Sequence, residues 1–175
     1  DGEWVDETSA AEPQHATGRI LRETEEVVRQ NHGVVARLAG IYGPGRSALL
    51  RKFLAGDARI DKTGTRYLNQ AHRDDIAAAL FHLVAVCEKD LTTPAILNVA
   101  DDRPFTQREA YTWLAAKLDQ PLPPVADQTA KRKRGASNKR VSNQKLRALG
   151  WEPKFPTFAV GMENSILPAL PTLGA

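Results

Sequence analysis

One cysteine among 175 residues, Cys87, excludes a disulfide within the chain and leaves stability to packing. Cys87 ends an apolar helical stretch and reads as a small core residue, which fits a reducing, cytoplasmic setting. Long hydrophobic runs are missing as well. The longest, "AAALFHLVAV" at residues 77–86, falls well short of the roughly 20 residues that span a bilayer. The opening "DGEWVDETSAAEP" is acidic and polar where a secretory leader would be basic and then apolar, so neither membrane nor secretion is expected. Charge of one sign is in small excess, a net +3, and much of it sits in "KRKRGASNKR" at residues 131–140. No aromatic interleaves that run, so it reads as a solvated loop and no nucleic-acid partner is expected. What remains is 42% apolar and 26% charged residues, enough at this length for one domain with one core.

Helix and strand patterns alternate along the first hundred residues. "ATGRILRETEEVVRQ" (Ala16–Gln30) places Ile20, Thr24, Val27 and Val28 on one face, an amphipathic helix that Gly33 should stop. "VVARLAGIY" at 34–42 is a nearly unbroken apolar run, broken by Arg37, with the pattern of a strand buried on both faces of a parallel sheet. Residues 47–54 predict a short helix ending at Gly56, and 58–70 two extended pieces around the turn "KTGT". "HRDDIAAALFHLVAVCEK" at 72–89 is the strongest helix, with Asp74 and Asp75 in its first turn. "AILNVA" at 95–100 reads as a second buried strand, and Thr106 with Glu109 forms a capping box for a helix at 107–118. After the link "QPLPPVADQ", "VSNQKLRALG" gives a short capped helix stopped by Gly150, and "TFAVGMENSILPAL" a last one. This order predicts an α/β fold. A partial Rossmann-like parallel sheet fills residues 1–120, interleaved at about 43–70 with segments of a second lobe, and a smaller, mainly helical substrate lobe fills 121–175.

The apolar run stops at Gly43-Pro44-Gly45, directly after Tyr42. A strand that ends at such an elbow sets its carboxyl end beside a loop, where α/β proteins place ligands. Yet no G-x-x-G-x-x-G turn or P-loop occurs in the chain. "GIYGPG" is no substitute, because Pro44 removes a backbone donor and Tyr42 fills a position where a phosphate turn needs small residues.

Five segments, in order, carry a resemblance: "GRILRETEE", "RLAGIYGPGR", "HRDDIAAAL", "ILNVADDRP" and "KRVSNQKLRALGWEPKFPTFAVGM". Together they resemble the second half of the extended short-chain dehydrogenase/reductase superfamily, in particular its NAD(P)-dependent epimerase/dehydratase-like and atypical members. The resemblance implies NAD or NADP as cofactor, held mainly by a glycine-rich turn upstream of Asp1. It also implies a small sugar- or nucleotide-derived substrate, and a homodimer to which the helix Ala16–Gln30 contributes.

Extended members carry Tyr-x-x-x-Lys at the start of the helix corresponding to "GRILRETEE", the tyrosine moving a proton and the lysine lowering its pKa. A glutamate follows the lysine by four. Placing it at Glu23, Glu25 or Glu26 puts Arg19, Leu21 or Arg22 at the lysine position and His15, Thr17 or Gly18 at the tyrosine position. No register supplies the pair, and His15 with Arg19 is the one that joins a titratable group to a cation, so these are the catalytic candidates, against a reading in which His15 is merely solvated. By resemblance Tyr42, Gly43, Pro44 and Gly45 line the nicotinamide end of the cofactor, and Arg46, Arg66, Asn69, Lys139 and Arg140 are substrate contacts. His72, Arg73, Asp74 and Asp75 match the superfamily's "H-V-D-D" segment and read as helix-start residues tying loops together, with no metal expected. Asn98 reads as structural, Asp101 and Asp102 as caps of the following loop, and Trp4, Trp113 and Trp151 as packing residues. The missing tyrosine and lysine keep a second reading open, a non-catalytic dinucleotide-sensing or interaction protein of the same fold.

Overall fold

Residues 34–42 form two short strands with different partners in the computed structural model, which describes residues 2–89, 95–126 and 138–170. In chain order the elements are β1 (Glu3–Val5), α1 (Ala16–Gln30), β2 (Val35–Leu38), β3 (Gly40–Tyr42), α2 (Ala48–Leu54), β4 (Tyr67–Leu68) and β5 (Gln70–His72). There follow α3 (Arg73–Lys89), β6 (Ile96–Val99), β7 (Phe105–Thr106), α4 (Gln107–Lys117), β8 (Lys139–Val141), α5 (Gln144–Ala148) and α6 (Phe158–Gly161), which runs into a π-helical turn at Met162–Ile166.

β2 pairs in parallel with β6, Val35 opposite Ile96 and Leu38 opposite Val99. β3 pairs in parallel with β5, Gly40 opposite Gln70 and Tyr42 opposite His72. The exchange happens at two residues: the Ala39 N–H still donates to Val99 O at 3.0 Å, and the Gly40 N–H donates to Asn69 O at 3.0 Å. A Cβ on Gly40 would lie 3.0 Å from that same Asn69 carbonyl, so the close crossing favours glycine. β1 pairs in parallel with β8, and β4 in antiparallel with β7. The result is the expected α/β fold with short parallel sheets.

The run at 34–42 is not buried on both faces as its apolarity predicts. Leu38 and Ile41 are exposed and Val35 to Arg37 are half-buried, because among the described residues β2 is bonded as a strand to β6 alone. Arg37 interrupts the run for a local reason. Its Nε and Nη2 grip Glu25 of α1 at 2.7 and 2.6 Å, a bidentate pair that fixes helix to strand. α1 has the predicted limits but no buried residue, and it ends on His32 in the left-handed region (φ 59) one residue before Gly33.

Buried apolar residues form two clusters rather than the one core expected. One joins Ala71, Ile76, Ala79, Leu83, Leu97, Val99, Leu146 and Trp151 around the parallel strands. The other gathers Tyr42, Leu50, Phe53, Ile60, Phe105, Tyr111, Leu114, Phe158, Met162 and Ile166 between α2, α4 and α6. The strand run crosses from one to the other, Ala36 and Ala39 packing on the first and Tyr42 in the second. His72 joins them: its ring lies 4.0 Å from Phe155 and edge-on to Tyr42 at 5.3 Å. No helix of the described residues is long and apolar enough to cross a membrane.

Candidate functional site

The elbow after β3 is a tight, fixed turn. The Gly43 N–H donates to Arg46 O at 3.1 Å and the Arg46 N–H to Gly43 O at 2.9 Å, with Pro44 leading and Gly45 at φ +73, the residue placement of a type II turn. Arg73 locks it from the start of α3, its Nη1 donating to Pro44 O at 2.9 Å while its stem covers Gly43. Nothing lies within 4 Å of where a Cβ on Gly45 would stand, so the outer side of the turn is open to a ligand.

Tyr42 points the other way. Its ring is 1% exposed, and its hydroxyl donates to Thr157 O at 3.4 Å. Burial, and then the charges of Asp101 and Asp75, push the phenol well above its ordinary range, so it stays protonated. His72 is lowered by burial and neutral: its Nδ1 accepts the Asp74 N–H at 3.3 Å, leaving Nε2 to donate to Ser165 Oγ at 3.1 Å. Asp75 ties loops together, both oxygens accepting amides, from Lys154 at 2.7 Å and Phe155 at 3.0 Å. No cluster of potential metal ligands is present among the described residues.

The open side of the turn faces a cleft of about 570 Å³. Gly45, Arg46, Ser47 and Arg51 form its polar rim, and Leu50, Leu54, Ile166 and Leu170 its apolar wall. Arg51, one turn into α2, is a cation that no motif announced. Ser47 is committed to capping α2, accepting the Leu50 N–H at 3.4 Å.

A second cleft of about 500 Å³ brings together Arg66, Asn69 and Lys139 with Gln70, Gly40 and Val141. Within it Asn69 clamps β8, donating to Lys139 O at 2.9 Å and accepting the Val141 N–H at 2.7 Å. Arg140 is held beside this cleft between Trp4 and Tyr67, 5.0 Å from each ring, its Nε donating to Gly2 O at 2.6 Å. The structure thus joins three of the five substrate candidates, puts Arg46 in the other cleft and uses Arg140 as a strut. His15 and Arg19 lie exposed at the head of α1 and border neither cleft.

Asp101 is 2% exposed, its carboxyl buried with the Arg103 N–H of the following loop beside it, and Asp102 accepts from Asn143 at 2.8 Å. Asn143 therefore does not cap α5 with its side chain, which also donates to Ala100 O at 2.9 Å. Asn98 is structural, donating to Ser142 O at 3.2 Å.

No family model and no curated protein matches the chain. Solved structures do match. A functionally unknown conserved protein from Silicibacter pomeroyi DSS is 32% identical, with a TM-score of 0.75 over 93% of this chain and 59% of that one. A putative NAD-dependent epimerase/dehydratase from Methylobacillus flagellatus is 25% identical, with a TM-score of 0.77 over 97% and 59%. MoeE5 in complex with UDP-glucuronic acid and NAD is 19% identical, with a TM-score of 0.75 over 97% and 59%. The chain spans 59% of the length of these structures, and over that span it has the fold of the NAD-dependent epimerase/dehydratase-like proteins.

Proposed function

We propose that this chain supplies the nicotinamide-side loop and the substrate lobe of an NAD(P)-dependent epimerase/dehydratase- or reductase-like protein acting on a sugar- or nucleotide-derived small molecule. The observation that carries the reading is the locked turn at Gly43–Arg46 opening onto a cleft with two arginines and an apolar wall. The likeness to structures named for NAD and for sugar nucleotides supports it.

The residues fit one end of a dinucleotide. Pro44 and Gly45 offer a flat, open backbone edge of the kind a planar ring approaches, whereas no glycine-rich turn in the sequence would hold the pyrophosphate. A bound nicotinamide supplies hydride transfer; the protein supplies orientation and charge. Here Tyr42 and Gly43 anchor the turn, Arg73 fixes it, and Pro44 and Gly45 meet the ligand. Arg46 and Arg51 would face phosphate or carboxylate oxygens of the substrate, with Arg66 and Lys139 as a second cationic edge. Leu50, Leu54, Ile166 and Leu170 exclude water from the apolar part of the ligand.

Among the described residues no free proton-transfer group borders the turn cleft, and His15 with Arg19 stands outside it. That observation favours the second reading, dinucleotide sensing without turnover. The two separate in one assay, in which the longest polypeptide containing this chain is incubated with UDP-sugars and NAD or NADP, following nicotinamide absorbance and sugar epimers. Product formation supports the enzyme; cofactor binding with no product from any sugar nucleotide supports the sensor.

A further inference from the structure

A third cavity, of about 160 Å³, lies between the opening turns of α4 and the start of α6 and shares no lining residue with either cleft. Its walls are aromatic. The buried Phe105 and Phe158 rings lie 4.6 Å apart centre to centre, and Trp113 stands edge-on to Phe158 at 5.8 Å. Ala110 and Ala159 keep the space open, since neither side chain reaches far into it. Its volume is close to the roughly 150 Å³ of an apolar cavity that takes up benzene, so it admits one six-membered ring and not a fused pair.

The mouth carries charge of both signs, from the exposed Arg103 and Glu109. Among the described residues the Arg103 guanidinium has no partner, and Glu109 commits one oxygen, Oε2, to the Thr106 N–H at 2.6 Å, which leaves Oε1. The two charges are not paired with each other. A ring bearing only a carboxylate would meet Arg103 but be repelled by Glu109, and a ring bearing only an ammonium the reverse; a zwitterion is attracted by both. An α-amino acid with a benzyl or hydroxybenzyl side chain has that composition, one ring with an ammonium and a carboxylate on one carbon.

We infer that the cavity between α4 and α6 binds a single-ring aromatic α-amino acid, its ring among Phe105, Trp113 and Phe158, its carboxylate on Arg103 and its ammonium on Glu109. This site does not depend on the proposed chemistry.

Isothermal titration calorimetry of the longest polypeptide containing this chain with L-phenylalanine tests it. Saturable one-to-one binding is expected. 3-Phenylpropionate, which lacks the ammonium, and 2-phenylethylamine, which lacks the carboxylate, should each bind about ten-fold more weakly. Arg103→Ala and Glu109→Gln should each weaken L-phenylalanine by a similar factor of about ten, the glutamine keeping the cap on α4. Ala159→Leu should abolish binding by filling the cavity, with circular dichroism showing that each variant stays folded. The two analogues need no substitution, so they test the site even where a variant fails to fold. No saturable binding overturns the inference, as does binding that survives Ala159→Leu, or equal affinity for either singly charged analogue.

Discussion

Asp101 stands at the end of β6 with its amide on the Gln70 carbonyl at 2.8 Å and its carboxyl in the interior. Burial first, then the charges of Asp102 and Asp75, raise its pKa to about 8, with the nearby Arg103 N–H opposing the shift. The folded chain therefore keeps a proton that the unfolded chain releases near the ordinary aspartate value. Stability from this group is complete below that value and is lost as pH rises to about 8, at about 1.4 kcal/mol per pH unit where the two states differ by one whole proton. Asp101→Asn should flatten this dependence and raise the unfolding midpoint at pH 9, read by urea titration at several pH values. An unchanged slope would show that another group carries the proton. Gly161 offers a second test at this scale: a Cβ there meets the Tyr42 hydroxyl and ring, so Gly161→Ala should destabilise by about 1–3 kcal/mol. Residue roles were the least legible part of the sequence. The resemblance implied a cofactor contact at Tyr42, but the direction of its ring is set by Phe158 and Thr157, more than a hundred residues away. The resemblance implied substrate contacts at Asn69 and Arg140, while β8 and the Trp4 and Tyr67 rings, distant in sequence, engage them as supports.

Elements were legible where local chemistry decides them. The Thr106 box forms as its spacing predicts, Thr106 Oγ1 accepting the Glu109 N–H at 3.1 Å and Glu109 Oε2 accepting the Thr106 N–H at 2.6 Å. Thr106→Ala should cost about 1 kcal/mol, measured as a lowered denaturation midpoint with an unchanged denaturant slope. The 3.6-residue period likewise gave α1 and α3 to within a residue at each end. Strands were harder. Apolarity announced the run at 34–42, but its division at Ala39 and Gly40 follows from which partner each half meets, β6 or β5, and no local pattern holds that information. β8 went unforeseen because Lys139-Arg140-Val141 has no strand-like alternation and is ordered by β1 and Asn69.

At the scale of the molecule, the sequence showed the α/β order and the absence of a phosphate turn, and the structure adds where the turn at Gly43–Arg46 opens. If the cleft beside it holds an anionic ligand, Arg46→Ala and Arg51→Ala should each weaken sugar-nucleotide binding by about ten-fold, and more steeply at low salt, with little change in the unfolding midpoint. Equal affinity in both variants would move the substrate to the cleft of Arg66 and Lys139. The exposed Ile20, Leu21 and Val27 of α1 and the open side of β2 form apolar surface that the described residues leave uncovered. The central claim is that the turn meets a nicotinamide. Titrating the longest polypeptide containing this chain with NADH and with NADPH, following nicotinamide fluorescence, tests it most directly. Saturable enhancement of the emission is expected, weakened by substituting a bulky residue for Gly45. No binding of either nucleotide to a folded protein would contradict it.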